Sequence, residues 1–147
     1  MADLIRLPDV AMVVRRARDG VHDLPTLGKS VVAGDDRVVA VGPDEWLVIA
    51  DDGDAEGLCV RVGHYGGCIL QCSGNRARYR IEGGHARQLL SAGCSFDFDR
   101  LMPDDAISTM LARAQVIIIA ETKSSFLVLP RRSFASYLEA WSSTIRS

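Results

Sequence analysis

Along this chain the apolar positions fall first into a period of two and only later into a helical one. In SVVAGDDRVVAV (residues 30–41), two β-branched runs flank Gly34, Asp35 and Asp36, which reads as a hairpin. WLVIA (residues 46–50) predicts another strand, closed by the turn-rich DDGDAEG. LCVRVG and GGCILQCS read as two further strands. In ARYRIEG, Tyr79 and Ile81 alternate with Arg78 and Arg80, as in a half-buried strand with one wet face. The period then changes. GGHARQLLSAG places Ala86, Leu89 and Leu90 on one helical face, with Gly93 where a C′ glycine would sit. AISTMLARAQVIIIAE and SSFLVLP return to strand, and Pro130 ends the latter. RRSFASYLEAWSSTI predicts a terminal helix whose apolar stripe is Phe134, Tyr137, Leu138, Trp141 and Ile145. Residues 1–23 are weakly patterned, with Met12, Val13 and Val14 offering one edge strand. Many strands, two main helices, no internal repeat and no linker predict a single α+β domain over residues 1–147, mostly antiparallel.

Composition narrows the function classes. At 147 residues, 48% hydrophobic and 24% charged, the chain can build one packed core, burying roughly 70% of its unfolded surface. A net charge of −2 with interspersed signs gives no field for phosphates, so nucleic acid is not an expected partner. The longest apolar run, residues 116–120, is too short to span a bilayer, and the Met-Ala-Asp start has no basic or apolar leader region. The expectation is a cytoplasmic protein that does not engage a membrane. Cys59, Cys68, Cys72 and Cys94 lack a Cys-x-x-Cys pair or a histidine at zinc-ligand spacing. Cys68 and Cys72, read on one strand, would lie about 13 Å apart at ~3.3 Å per residue, beyond a disulfide or a shared metal. Reduced thiols acting as small core residues are expected.

Several residues could carry chemistry. Asp44 and Glu45 are adjacent acids before Trp46, yet Gly42 and Pro43 set a corner there, and neighbouring strand residues point to opposite faces. A solvated turn feeding a half-buried tryptophan is the simpler reading. His22, His64 and His85 lie in different elements. Gly83 and Gly84 before His85 could cradle an anion at a helix N-terminus, but no phosphate-loop pattern follows, so a tight strand-to-helix turn is favoured. There is no Gly-x-Ser-x-Gly nucleophile motif. Arg76, Arg78, Arg80 and Arg87 crowd one β-to-α unit, and could meet an acidic partner or form a solvated face. PRRSF could contribute arginines to a binding surface, or Arg132 or Ser133 could cap the last helix. No catalytic constellation is evident.

Three segments in order carry a resemblance: GPDEW entering a strand, then GGHARQLLSAGCSFD, then PRRSFASYLEAW. Together they resemble the γ subunit of heterotetrameric sarcosine oxidase. Its Gly-x-x-Ala-Arg-x-Leu-Leu-x-x-Gly-Cys-x-x-Asp block is matched by Gly83, Ala86, Arg87, Leu89, Leu90, Gly93, Cys94 and Asp97. Its terminal motif is matched by Ser133, Phe134, Ala135, Tyr137, Leu138 and Trp141, with one extra arginine. That family is similar in fold to the folate-binding aminomethyltransferases, including the T-protein of glycine cleavage. Their Asp-x-Ser-His segment corresponds here to Gln71, Cys72, Ser73 and Gly74, which keeps only the serine. Their Phe-x-Pro-Gly is degraded near Met102, Pro103 and Asp105, while Thr109 matches a family threonine.

The resemblance implies a non-catalytic subunit with no cofactor or metal of its own. Its partners would be an α subunit binding NAD and tetrahydrofolate, a β subunit carrying FAD and FMN, and a small δ subunit with zinc in some members. Such a complex demethylates sarcosine oxidatively, an oxidoreductase reaction of one-carbon metabolism. The same resemblance admits an N-methylglutamate dehydrogenase-type complex. An independent aminomethyltransferase, or an adaptor docking through the Phe134, Tyr137 and Trp141 stripe, are the other readings. Candidate interface or motif residues are Asp44, Glu45, Trp46, Arg87, Arg131, Arg132 and Phe134.

Overall fold

A computed structural model describes residues 4–16, 24–34, 36–50, 55–63, 68–72 and 74–146. His22, His64, Ser73, Asp35 of the hairpin turn, and residues 51–54 lie outside the described residues. The chain divides into two compact units, Met1–Pro8 with Arg76–Ser147, and Asp9–Asn75.

The unit formed by residues 9–75 is built on five antiparallel strands. They are β2 (Met12–Arg16), β3 (Ser30–Ala33), β4 (Asp36–Gly42), β5 (Glu45–Ala50) and β6 (Cys68–Gln71), in the order β3-β4-β5-β2-β6. The expected hairpin around Gly34 is the β3–β4 pair, with Gly34 at φ 63 where a left-handed turn residue is needed. Met12, Val13 and Val14 do not form an edge strand. β2 is flanked on both sides, with Val13 opposite Val48 of β5 and Gln71 of β6. LCVRVG is not a strand either but part of helix α1 (Ala55–Gly63). A strand would put Leu58, Val60 and Val62 on one face. Instead Leu58 and Val62 are buried while Val60 is 60% exposed, the separation a helix imposes. Their burial with Val13, Val38, Val48 and Ala50 forms the core of this unit, against which Leu24, Trp46 and Cys59 also pack.

The second unit has five strands, β1 (Leu4–Leu7), β7 (Arg78–Glu82), β8 (Ala106–Leu111), β9 (Ala114–Ala120) and β10 (Ser125–Pro130). They form a sheet in the order β1-β7-β10-β9-β8, again antiparallel throughout. β1, hidden in the weakly patterned N-terminal stretch, pairs Leu4 with Ile81 across 77 positions of sequence (81 less 4). Helices α2 (Ala86–Gly93) and α3 (Ala135–Arg146) supply Ala86, Leu89, Leu90, Ala135 and Leu138 to a core shared with Tyr79, Ile81, Val116, Ile118, Phe126 and Val128. Burial of this many apolar side chains, at about 25 cal/mol per Å² of apolar surface, is what holds helices this short. The mixed α+β, antiparallel class is as expected, with α1 added to the two main helices. No helix among the described residues is long and apolar enough to cross a membrane.

Candidate functional site

The adjacent acids prove to be a corner. β4 runs to Gly42, Pro43 and Asp44 make the turn, and Glu45 pairs back with Gly42 as β5 begins. Asp44 is exposed; Glu45 lies 3.6 Å from Arg16 on the neighbouring strand. Trp46 is half-buried against the core, and its indole N–H donates to the Pro25 carbonyl at 2.8 Å. The exposed Asp44 and the Arg16-paired Glu45 thus have different surroundings, and the tryptophan is packed and bonded within its own unit.

Gly83 turns the chain from β7 towards α2 with φ 111, and its N–H donates to the Ser124 carbonyl at 3.0 Å. His85 stands exposed at the N-cap of α2 without a side-chain cap bond. Arg87, in the first turn of α2, does not reach outwards. Its Nε donates to the Lys123 carbonyl at 3.0 Å and its Nη2 to the Leu101 carbonyl at 3.1 Å, with the guanidinium 5.2 Å from the Phe126 ring centre. Arg87 thus ties α2 to the β9–β10 connection and to the loop after the short 3-10 turn Phe98–Arg100. Arg78, expected on a wet face, is buried, and two of its nitrogens donate to the Pro8 carbonyl. Arg76 reaches the Leu129 carbonyl at 2.7 Å, and Arg80 grips Glu121 through two bonds of 2.8 and 3.0 Å. Arg76, Arg78 and Arg87 are fixing backbone carbonyls and Arg80 a carboxylate, roles the fork of five donors suits.

Gly93 is the last residue of α2 and has no positive φ, so it is not a C′ glycine. Its lack of a side chain serves contact instead, with α3 and with the β8–β9 turn. That turn holds Ala112 and Arg113 at φ 51 and 75, unusual for residues with a Cβ. The Ala112 N–H donates to the Gly93 carbonyl at 2.8 Å, and the Tyr137 hydroxyl donates to the Ala112 carbonyl. Surrounding bonds thus over-determine a strained turn.

The terminal stripe is split. Ala135, Leu138 and Ser142 face the core, and Trp141 is half-buried against it. Phe134, Tyr137 and Ile145 are 41%, 43% and 41% exposed. Phe134 closes a 3-10 turn (Arg132–Phe134) rather than sitting on α3. Arg131, at the N-cap of that turn, makes no side-chain cap bond, and both Arg131 and Arg132 are exposed.

Sequence reasoning missed one polar centre. Tyr79 is fully buried, its hydroxyl donating to Glu139 Oε1 at 2.8 Å and receiving Arg6 Nη1 at 3.4 Å. Burial, reinforced by the Glu139 carboxylate, pushes the phenol up to about 12. Only the alternation of Tyr79 with two arginines hinted that it faced inwards.

No group of three or more His, Cys, Asp or Glu among the described residues could hold a metal ion. The segment at the aminomethyltransferase folate motif offers no carboxylate, since Gln71 and Gly74 stand at its acid and histidine positions. Cys72 there is buried, with its N–H given to the Met12 carbonyl at 3.0 Å. These residues do not fit a folate contact of that kind. Cys94 lies 3.5 Å from the Thr109 hydroxyl.

The geometry finds its likeness in known proteins. The sarcosine oxidase gamma subunit of Corynebacterium sp. (strain U-96) is 33% identical over 117 residues, covering 75% of this chain and 57% of that protein. That of Arthrobacter sp. is 32% identical over 108 residues, covering 71% and 53%. The chain thus spans a little over half the length of the curated relatives it matches. Among solved structures, heterotetrameric sarcosine oxidase from Corynebacterium sp. U-96 in complex with pyrrole 2-carboxylate contains a similar chain. It matches with a TM-score of 0.83 and 26% identity, over 95% of this chain and 80% of that one. Aminomethyltransferase T of the glycine cleavage system from Bartonella henselae shares the fold, with a TM-score of 0.70 at 11% identity over 95% of this chain and 44% of that one. The model of the sarcosine oxidase gamma subunit family matches residues 6–146, nearly the whole sequence, and this chain belongs to that family.

Proposed function

We propose that this chain is a non-catalytic, gamma-type subunit that helps assemble a sarcosine oxidase-like flavoenzyme complex. The observation that carries the reading is the likeness, at a TM-score of 0.83 over 95% of this chain, to a chain of a heterotetrameric sarcosine oxidase. The complex would demethylate sarcosine or a related N-methyl amino acid oxidatively. FAD, FMN, NAD and tetrahydrofolate would be held by its α and β subunits, with a δ subunit completing it. Three of the motif residues are engaged inside the chain, Trp46 on Pro25, Arg87 on Lys123 and Leu101, and Glu45 beside Arg16, which supports a reading without a catalytic role for them.

The test is co-expression of this chain, carrying an affinity tag, with flavin-binding and NAD-binding polypeptides encoded beside it. The expected result is a yellow complex that turns over an N-methyl amino acid. Oxygen consumption would mark an oxidase, and turnover needing another acceptor a dehydrogenase-type complex. A chain that stays monomeric and ignores flavoproteins would refute the reading. Methylene transfer from tetrahydrofolate by the isolated chain would instead favour an aminomethyltransferase.

A further inference from the structure

We propose that the exposed apolar stripe at the start of α3, with the arginines beside it, docks an acidic segment of the large partner polypeptide. The proposal rests on the subunit reading and names the surface that reading would use. Phe134 and Tyr137 form an edge-to-face pair with ring centres 6.4 Å apart, and Ile145 continues the stripe two turns on, all more than two-fifths exposed. α3 already meets the core of its own unit through Ala135, Leu138 and Ser142, so these three side chains are surplus to internal packing. The Tyr137 ring is also held in place, because its hydroxyl is bonded to the Ala112 carbonyl. A pre-ordered aromatic loses little freedom when covered, as interface anchors require.

Charge selects the occupant. Residues 131–146 contain Arg131, Arg132 and Arg146 against one carboxylate, Glu139. Glu139 is turned to the other flank of the helix, where it accepts from Tyr79 and lies 3.9 Å from Arg6. Arg131 adjoins Phe134, whose N–H donates to its carbonyl at 2.9 Å. Exposed Arg113 follows the Ala112 that Tyr137 holds. The aromatic pair is thus rimmed by cations. A second copy of this chain docked face to face would oppose one basic rim with another, which is unfavourable. A partner segment with carboxylates around an apolar anchor meets both the rings and the rim.

The experiment measures the affinity of this chain for the partner polypeptides with which it co-purifies, comparing wild type with Phe134→Ser, Arg131→Glu and Arg113→Asp. All three positions are exposed, and aspartate tolerates the left-handed backbone at position 113. Circular dichroism of each isolated variant confirms that it folds. Each substitution is expected to weaken binding at least tenfold, and salt to weaken the wild-type complex. Val60→Ser, at an exposed position of α1, should leave it unchanged. If the complex assembles and all three variants bind within twofold of wild type, the docking proposal falls while the subunit reading stands. Failure of the wild-type chain to assemble at all overturns the subunit reading itself. A homodimer of the isolated chain that Phe134→Ser dissolves would show that a second copy, not an acidic partner, covers the stripe.

Discussion

Gly93 and Trp141 touch so closely that a Cβ added to the glycine would stand 2.6 Å from Cζ2 of the indole and 3.1 Å from the Ala112 backbone nitrogen. Neither neighbour can give way easily: one is a rigid ring, the other a backbone atom bonded to Gly93 itself. Gly93→Ala is therefore expected to destabilise the chain by about 1–3 kcal/mol, as overpacking does, and to lower Tm by several degrees. Pairing it with Trp141→Leu should recover part of the loss in a double-mutant cycle. A thermal melt of Gly93→Ala that overlays the wild type would refute this close contact.

Arg87 offers a second test, because its motif position invites a reading as an interface residue while its bonds are internal. Arg87→Lys cannot reach the Lys123 and Leu101 carbonyls together or stack equally on Phe126, and should cost about 1–2 kcal/mol. The loss belongs to denaturant unfolding of the isolated chain. Weakened partner binding without any loss of stability would contradict the structural role.

Tyr79 ties stability to alkaline pH. Its folded value of about 12 lies above the ordinary 10.0, so its contribution is intact below pH 10. As pH rises from 10 towards 12, the unfolded chain loses the phenolic proton while the folded chain keeps it, and stability falls. Ultraviolet titration should show a phenol step near pH 12 that Tyr79→Phe removes. Glu139→Gln removes the carboxylate's share of the shift and should bring that step down; a step unmoved by the substitution would assign the shift to burial alone.

The corner acids are expected to be nearly silent. Asp44 is solvated and the Arg16–Glu45 pair is partly exposed, so Asp44→Asn with Glu45→Gln should change stability by less than about 1 kcal/mol. Turnover of an assembled complex should be nearly unchanged, and a large fall in rate with assembly intact would restore them as catalytic candidates. Trp46→Phe removes the indole N–H and leaves the Pro25 carbonyl without that donor, a cost of about 1–2 kcal/mol visible in chemical denaturation.

The elements easiest to read in the sequence were those whose signals are local. Gly34 beside two β-branched runs made the β3–β4 hairpin legible, and Gly42 with Pro43 marked the next corner, because a turn depends on residues at or beside it. α1 misled because Leu58, Val60 and Val62 satisfy a strand's alternation, while only packing against the sheet shows that Leu58 and Val62 are the buried pair. The terminal stripe erred too: the α3 face that meets the core carries Ala135, Leu138 and Ser142, which leaves Tyr137 and Ile145 outside it, and Phe134 belongs to a 3-10 turn before the helix. Of the candidate site, the motif residues were readable, but not their occupations.

By itself the sequence determined the antiparallel α+β class, the positions of most strands and two helices, and, through three ordered motifs, the family. Those features follow from periodicity, turn chemistry and residue identity, each of which is written over a few neighbouring positions. Tertiary structure decided which strands pair across long separations, such as Leu4 with Ile81, and which arginines are spent on carbonyls. It also decided that Gly93 yields its side chain to Trp141, and that an aromatic pair stays in solvent. Such outcomes depend on which surfaces are left over after the core closes, and no local window of sequence holds that information.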